Sequence, residues 1–154
     1  AAGPRGGPSR CLLVLTERKT RFEIVRVLES KTAREVLRVL RELRQEFGED
    51  FRKLFKTITC DNGCEFAAVK EMEQFAPIYY CHPYSSWERG TNENQNKLIR
   101  RFCKKGKSMA CVTADHAEYI TLWMNNYPRR LLGWRRPADL LAAECAALGI
   151  KLAV

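Results

Sequence analysis

Asp61 and Glu93 are the residues of this chain best suited to chemistry. Each is a carboxylate among small or amide side chains, in Cys60-Asp61-Asn62-Gly63-Cys64-Glu65-Phe66 and Arg89-Gly90-Thr91-Asn92-Glu93-Asn94. Hard divalent cations such as magnesium take oxygen ligands from a few such acids and keep open positions for water and phosphate. Two cations so held activate an attacking oxygen and stabilise a leaving one at a phosphodiester. Asn62, Asn92, Asn94 and Asn96 stand close by in sequence, as supporting contacts to phosphate or bridging waters.

The residues after Glu93 read as a helix over about 91–104. At 100° per residue Glu93, Lys97, Arg100 and Lys104 share one face, while Leu98, Ile99 and Phe102 take the other. A carboxylate followed by three cations on one stripe suits a helix that faces both a metal and a nucleic-acid backbone. Glu93-Lys97 also satisfies an ordinary i,i+4 surface pair, so the stripe gains meaning only beside Asp61.

Upstream, Cys11 to Leu15 and Phe22 to Leu28 flank the polar Glu17-Arg18-Lys19-Thr20 and predict an antiparallel hairpin. Thr32 and Glu35 stand at capping-box spacing before a helix whose Val36, Leu37, Leu40, Leu43 and Phe47 form one apolar face, ended by Gly48. Phe55 to Cys60 predicts a strand stopping at the Asp61-Asn62-Gly63 turn, and Pro77 to Cys81 a second, buried strand after a short helix. Strand, helix, strand at that spacing implies a parallel pair. Further helices are expected over 113–127 and 137–147. The order is α/β with a mixed sheet flanked by helices, and it sets Asp61 at the C-terminal end of a parallel strand, where ligands gather.

The chain has 154 residues and a net charge of +9. Between Lys97 and Arg136 lie ten Lys or Arg against Asp115 and Glu118, so that segment supplies +8 of the total. Concentrated basic charge is the footprint of a phosphate-backbone partner, with Arg129, Arg130, Arg135 and Arg136 as further contacts. Seven cysteines, with no apolar signal segment in Ala1 to Pro8, predict reduced thiols and a cytoplasmic protein without a membrane span. Zinc at Cys60-x3-Cys64 and Cys81-His82 is the weaker expectation, because structural zinc sites show two tight ligand pairs. Residues 1–10 read as a flexible leader or truncation scar, and 11–154 as one core domain.

Asp61-Asn62-Gly63-x-Glu65-Phe66, then Tyr80-Cys81-x-Pro83-Tyr84-Ser85-x-Trp87-x-Arg89-Gly90-Thr91-Asn92-Glu93-Asn94, closely resembles the transposases of the bacterial insertion-sequence-thirty family. The resemblance continues through Asn125-Asn126-x-Pro128-Arg129-x-x-Leu132-Gly133-Trp134-Arg135-x-Pro137-Ala138 and covers about residues 11 to 141. It implies a ribonuclease-H-like integrase core whose Asp-Asp-Glu triad binds two Mg2+ (or Mn2+) ions, with Asp61 matching the second acid and Glu93 the third. It further implies strand cleavage and strand transfer on double-stranded DNA, element ends and target alike, by a homo-oligomer. The family's first acid lies on a central strand ahead of the hairpin, whereas no Asp precedes Asp50 here. A core lacking that strand, with little strand transfer of its own, is therefore expected. A degenerate remnant that only binds DNA is the alternative. Glu17 is expected in a salt bridge at the hairpin turn, and Trp134 as a structural anchor.

Overall fold

The computed structural model describes residues 10–60, 63, 65, 67–80, 94–103, 109 and 112–150. Strands β1 (Cys11–Thr16) and β2 (Glu23–Leu28) form the expected antiparallel hairpin, in register from Cys11↔Leu28 to Thr16↔Glu23. Strands β3 (Ile58–Cys60) and β4 (Ile78–Tyr80) pair in parallel, as anticipated, across the short helix α3 (Val69–Met72). Helix α1 (Ala33–Phe47) runs through a 3-10 turn into α2 (Phe51–Leu54), which takes up the residues just before the expected β3 strand. Helices α4 (94–99), α5 (Ala114–Asn126) and α6 (Pro137–Ala147) follow.

The molecule is thus mixed α/β, with two small sheets that are not hydrogen-bonded to each other among the described residues. One apolar cluster joins both sheets through α1: Cys11, Leu13 and Leu28 from the hairpin and Ile58 from β3 pack with Val36, Leu40, Leu43, Phe51 and Phe75. The opposite face of the hairpin, Leu12 and Val25, packs on Ile99 of α4 and on Ala117, Ile120 and Met124 of α5. The period of two along β1 and β2 therefore feeds two separate cores, one on each side.

Local details depart from the expected ones. Helix α1 starts after Thr32, yet Thr32 makes no side-chain cap. Its hydroxyl sits 3.1 Å from that of Ser30, and the Glu35 carboxylate instead accepts from the Glu29 N–H at 3.0 Å and pairs with Arg38. At the other end Gly48 takes φ 53 and donates to the Arg44 carbonyl, a left-handed stop that suits glycine. Strand β4 is not buried throughout: Tyr79 and Tyr80 are exposed and only Ile78 packs into the core. It belongs to a two-stranded sheet, so no further described strand flanks it.

The free edge of β2 is closed by α5. The Asn125 side chain accepts from the Glu23 N–H and donates to the Glu23 carbonyl, both at 2.8 Å. One turn earlier, Thr121 accepts from the Val25 N–H at 3.1 Å and donates to the Ala117 carbonyl at 2.9 Å. Two side chains at i and i+4 thereby stand in for a neighbouring strand. Asn125→Ala leaves a buried N–H and carbonyl unpaired, and is expected to lower stability by about 2 kcal/mol in urea unfolding. A change within about 0.5 kcal/mol, the range of ordinary surface substitutions, would show that water replaces the amide.

Candidate functional site

Asp61 and Glu93 lie outside the described residues, as do Asn62, Asn92 and Lys104. The elements leading into the two acids are described. Strand β3 ends at Cys60, one residue before Asp61 and at the C-terminal end of a parallel pair. The described part of helix α4 opens at Asn94, next in sequence after Glu93. Glu65, four residues after Asp61, is buried, with the Lys31 ammonium 3.4 Å from its Oε1. That ion pair ties Glu65 to the β2–α1 connection. In the sequence Glu65 stands out only as a member of the loop motif, because its cation partner comes from a distant segment.

Helix α4 divides as its periodicity predicts. Ile99 is buried, with Leu98, Phe102 and Cys103 against the same core, while Asn94, Lys97 and Arg100 are exposed and Asn96 is half-buried. Gln95 is buried, and its Oε1 has no hydrogen-bond partner among the described residues. The cation face thus points outward beside a core-packed face.

The arginines near the C-terminus separate. Arg130, Arg135 and Arg136 are exposed, and Arg136 is clamped to Asp139 by two 2.7 Å hydrogen bonds. Arg129, expected to contact a nucleic-acid backbone, is instead buried. Its Nη2 donates to the Met124 carbonyl at 2.9 Å, capping the C-terminus of α5, and its guanidinium lies 5.6 Å from the Tyr127 ring. Burial pulls its pKa down and the nearby Glu23 charge pushes it up, the first outweighing the second.

Glu23 is a feature that sequence patterning missed. It is fully buried, accepts from the Thr16 hydroxyl at 2.9 Å, and its Oε1 has no hydrogen-bond partner among the described residues. Burial raises its pKa to about 8, against the opposing pull of Thr16, Arg129 and Arg21. Alternation alone gives no hint of this, since a charged residue in a half-exposed strand ordinarily faces water.

Glu17, expected in a salt bridge, is occupied otherwise. It accepts from the Lys19 N–H at 3.0 Å, the Thr20 N–H at 2.5 Å and the Thr20 hydroxyl at 2.6 Å. Burial raises its pKa, but these hydrogen bonds outweigh it and hold the carboxyl below its usual value. The turn it braces carries Arg21 at φ 62. The salt bridge at this turn is made by Lys19, to Glu144 of α6 at 2.5 Å.

No cluster of three or more His, Cys, Asp or Glu able to hold a metal occurs among the described residues. Cys11, Cys103 and Cys145 are free thiols, and the Cys60 thiol donates to the Tyr79 carbonyl at 3.8 Å. The remaining members of the zinc reading, Cys64, Cys81 and His82, lie outside the described residues. Among the described residues no helix is long and apolar enough to cross a membrane.

No protein-family model matches the chain. Curated relatives do. The chain is 40% identical over 131 residues, 83% of its length, to the transposase for insertion sequence element IS4351 of Bacteroides fragilis. It is 38% identical over 135 residues to the probable transposase for insertion-like sequence element IS1161 of Streptococcus salivarius, and 31% over 132 residues to transposase InsI for insertion sequence element IS30C of Escherichia coli K12. These matches cover 88% and 84% of the chain. The chain spans only 34% to 39% of the length of these relatives. Over most of its residues, this chain is homologous to part of the insertion-sequence transposases of the IS30 type that its motifs resemble.

Proposed function

We propose that this chain is the catalytic portion of a DNA transposase, built on a ribonuclease-H-like arrangement and dependent on divalent metal. The observation that carries the reading is homology to transposases over most of the chain, together with two acid motifs, one directly after β3 in sequence and one directly before the described part of α4. Asp61, Glu93 and the neighbouring asparagine oxygens are a hard, all-oxygen donor set, which fits Mg2+ or Mn2+ and not a thiolate-seeking metal. When bound, such ions activate the attacking oxygen and stabilise the leaving one in an in-line displacement at phosphorus.

The chain's own residues do the rest. Asp61 and Glu93 would hold the cations, and would act on the phosphodiester only through them. Lys97 on α4 and Arg100 just past it, both exposed, carry the DNA backbone past that point, and Arg130 and Arg135 extend the basic track. A third acid, from a strand lying between β1 and β3, would complete the triad. Several copies acting together on element ends and target, in the cytoplasm, is the working assembly.

Calorimetric titration of the protein with Mn2+, in the presence and absence of a DNA duplex, is the test. Saturable uptake that tightens with DNA, and DNA binding that weakens steeply with salt, is the expected result. Salt-dependent DNA binding with no metal uptake would overturn the enzymatic reading in favour of a DNA-binding remnant.

A further inference from the structure

Residues 129–135 form a closed hairpin whose tip is apolar and exposed. An antiparallel bridge joins Arg129 to Arg135, with the Arg129 N–H donating to the Arg135 carbonyl at 3.1 Å. Inside it, the Leu132 and Trp134 N–H groups donate to the Arg129 carbonyl at 3.0 and 2.9 Å, and the Gly133 N–H to that of Arg130 at 3.1 Å. Its base is anchored by the buried Arg129 guanidinium on the end of α5. The loop is therefore rigid by its own hydrogen bonds.

Two observations single it out. Leu131 is 77% exposed and Trp134 69%, the two most exposed large apolar side chains among the described residues. Trp134 also holds φ 64, directly after Gly133 at φ 64. A bulky residue in left-handed backbone is an outlier that costs energy, and such strain collects where a side chain must be presented. A structural anchor, the role expected of Trp134, would be covered. Trp134 faces water instead.

The charge around the tip selects its partner. Arg130 and Arg135 flank Leu131 and Trp134, Arg136 follows, and all three are exposed. An apolar wedge ringed by cations is complementary to stacked bases lined by phosphates, and poorly complementary to another basic protein surface. We propose that the 129–135 hairpin is a DNA wedge: Trp134 and Leu131 enter a base step while Arg130 and Arg135 hold the adjoining phosphates. The inference rests on the transposase reading and adds to it a place where the duplex is unstacked.

The probe is a 30-bp duplex with 2-aminopurine beside a flexible T-A step, followed by fluorescence and by anisotropy. The wild-type protein is expected to raise the 2-aminopurine emission on binding, the sign of unstacking. Trp134→Asn should bind about tenfold more weakly and give no rise. Asparagine tolerates the left-handed backbone, so this variant keeps the loop. Trp134→Phe should restore part of the signal. Arg130→Ala should reduce the salt slope by about one while leaving the emission change in place.

Equal affinity and emission for Trp134→Asn and wild type would overturn the wedge while leaving DNA binding, and hence the proposed function, intact. Loss of self-association in sedimentation, with DNA affinity unchanged, would overturn it by making the tip a protein interface. No salt-dependent DNA binding by any form would defeat both the wedge and the function on which it rests.

Discussion

Asp61→Asn and Glu93→Gln are each expected to weaken Mn2+ uptake more than about a hundredfold, beyond the 10–100-fold that loss of an outer ligand partner costs. Both replacements keep the side-chain shape and remove the charge, so they separate ligation from folding. An amide oxygen remains a poor donor to a hard dication whose affinity depends on the number of charged ligands. Each variant should therefore lose the metal while keeping the thermal midpoint and the salt-dependent DNA affinity of the parent. Glu42→Gln, in a surface pair with Arg38 on α1, is the control and should leave uptake unchanged. Electron paramagnetic resonance of free Mn2+ measures all four proteins directly. Unchanged uptake in both acid variants would remove Asp61 and Glu93 from the site.

Glu23→Gln is expected to stabilise the protein as pH rises. In the folded state burial holds the Glu23 pKa at about 8, against an ordinary value of 4.5. Between those values the native carboxyl keeps its proton while the unfolded one loses it. The folded state then binds more protons, and its stability falls as pH increases across that window. Each pH unit crossed inside the window costs about 1.4 kcal/mol, so the loss between about pH 5 and pH 8 is on the order of 3 kcal/mol. Glutamine cannot ionise and escapes it. The two proteins should unfold alike in urea near pH 5 and diverge towards pH 8, with the variant the more stable. Parallel pH profiles would mean that Arg129 and Arg21 keep Glu23 ionised throughout.

Much of the architecture was legible because it is written in local periodicity. The apolar run from Cys11 to Leu15 and the alternation from Phe22 to Leu28 yield the β1–β2 hairpin, and the apolar stripe from Val36 to Phe47 yields the buried face of α1. Pro137 at the first position of α6 and Thr113 capping α5 mark starts that local pattern fixes within a residue. The split between Ile99 inside and Lys97 and Arg100 outside follows from helical geometry alone. Where the expectation failed, competing polar partners decided. Thr32 lost its cap role to the Ser30 hydroxyl, and Glu17 exchanged a salt bridge for the backbone of its own turn.

From its residues alone this chain declared its elements, its acid motifs, its basic C-terminal half and its kinship to transposases. Those properties depend on neighbours a few positions away or on the order of residue types. Only the folded chain decided that Glu23 is held next to Asn125, 102 positions later, that Arg129 turns inward onto α5, and that Trp134 stands out in water. The cost of burying a charge is set by whatever tertiary contact surrounds it, and a contact between distant segments leaves no periodic trace in the sequence.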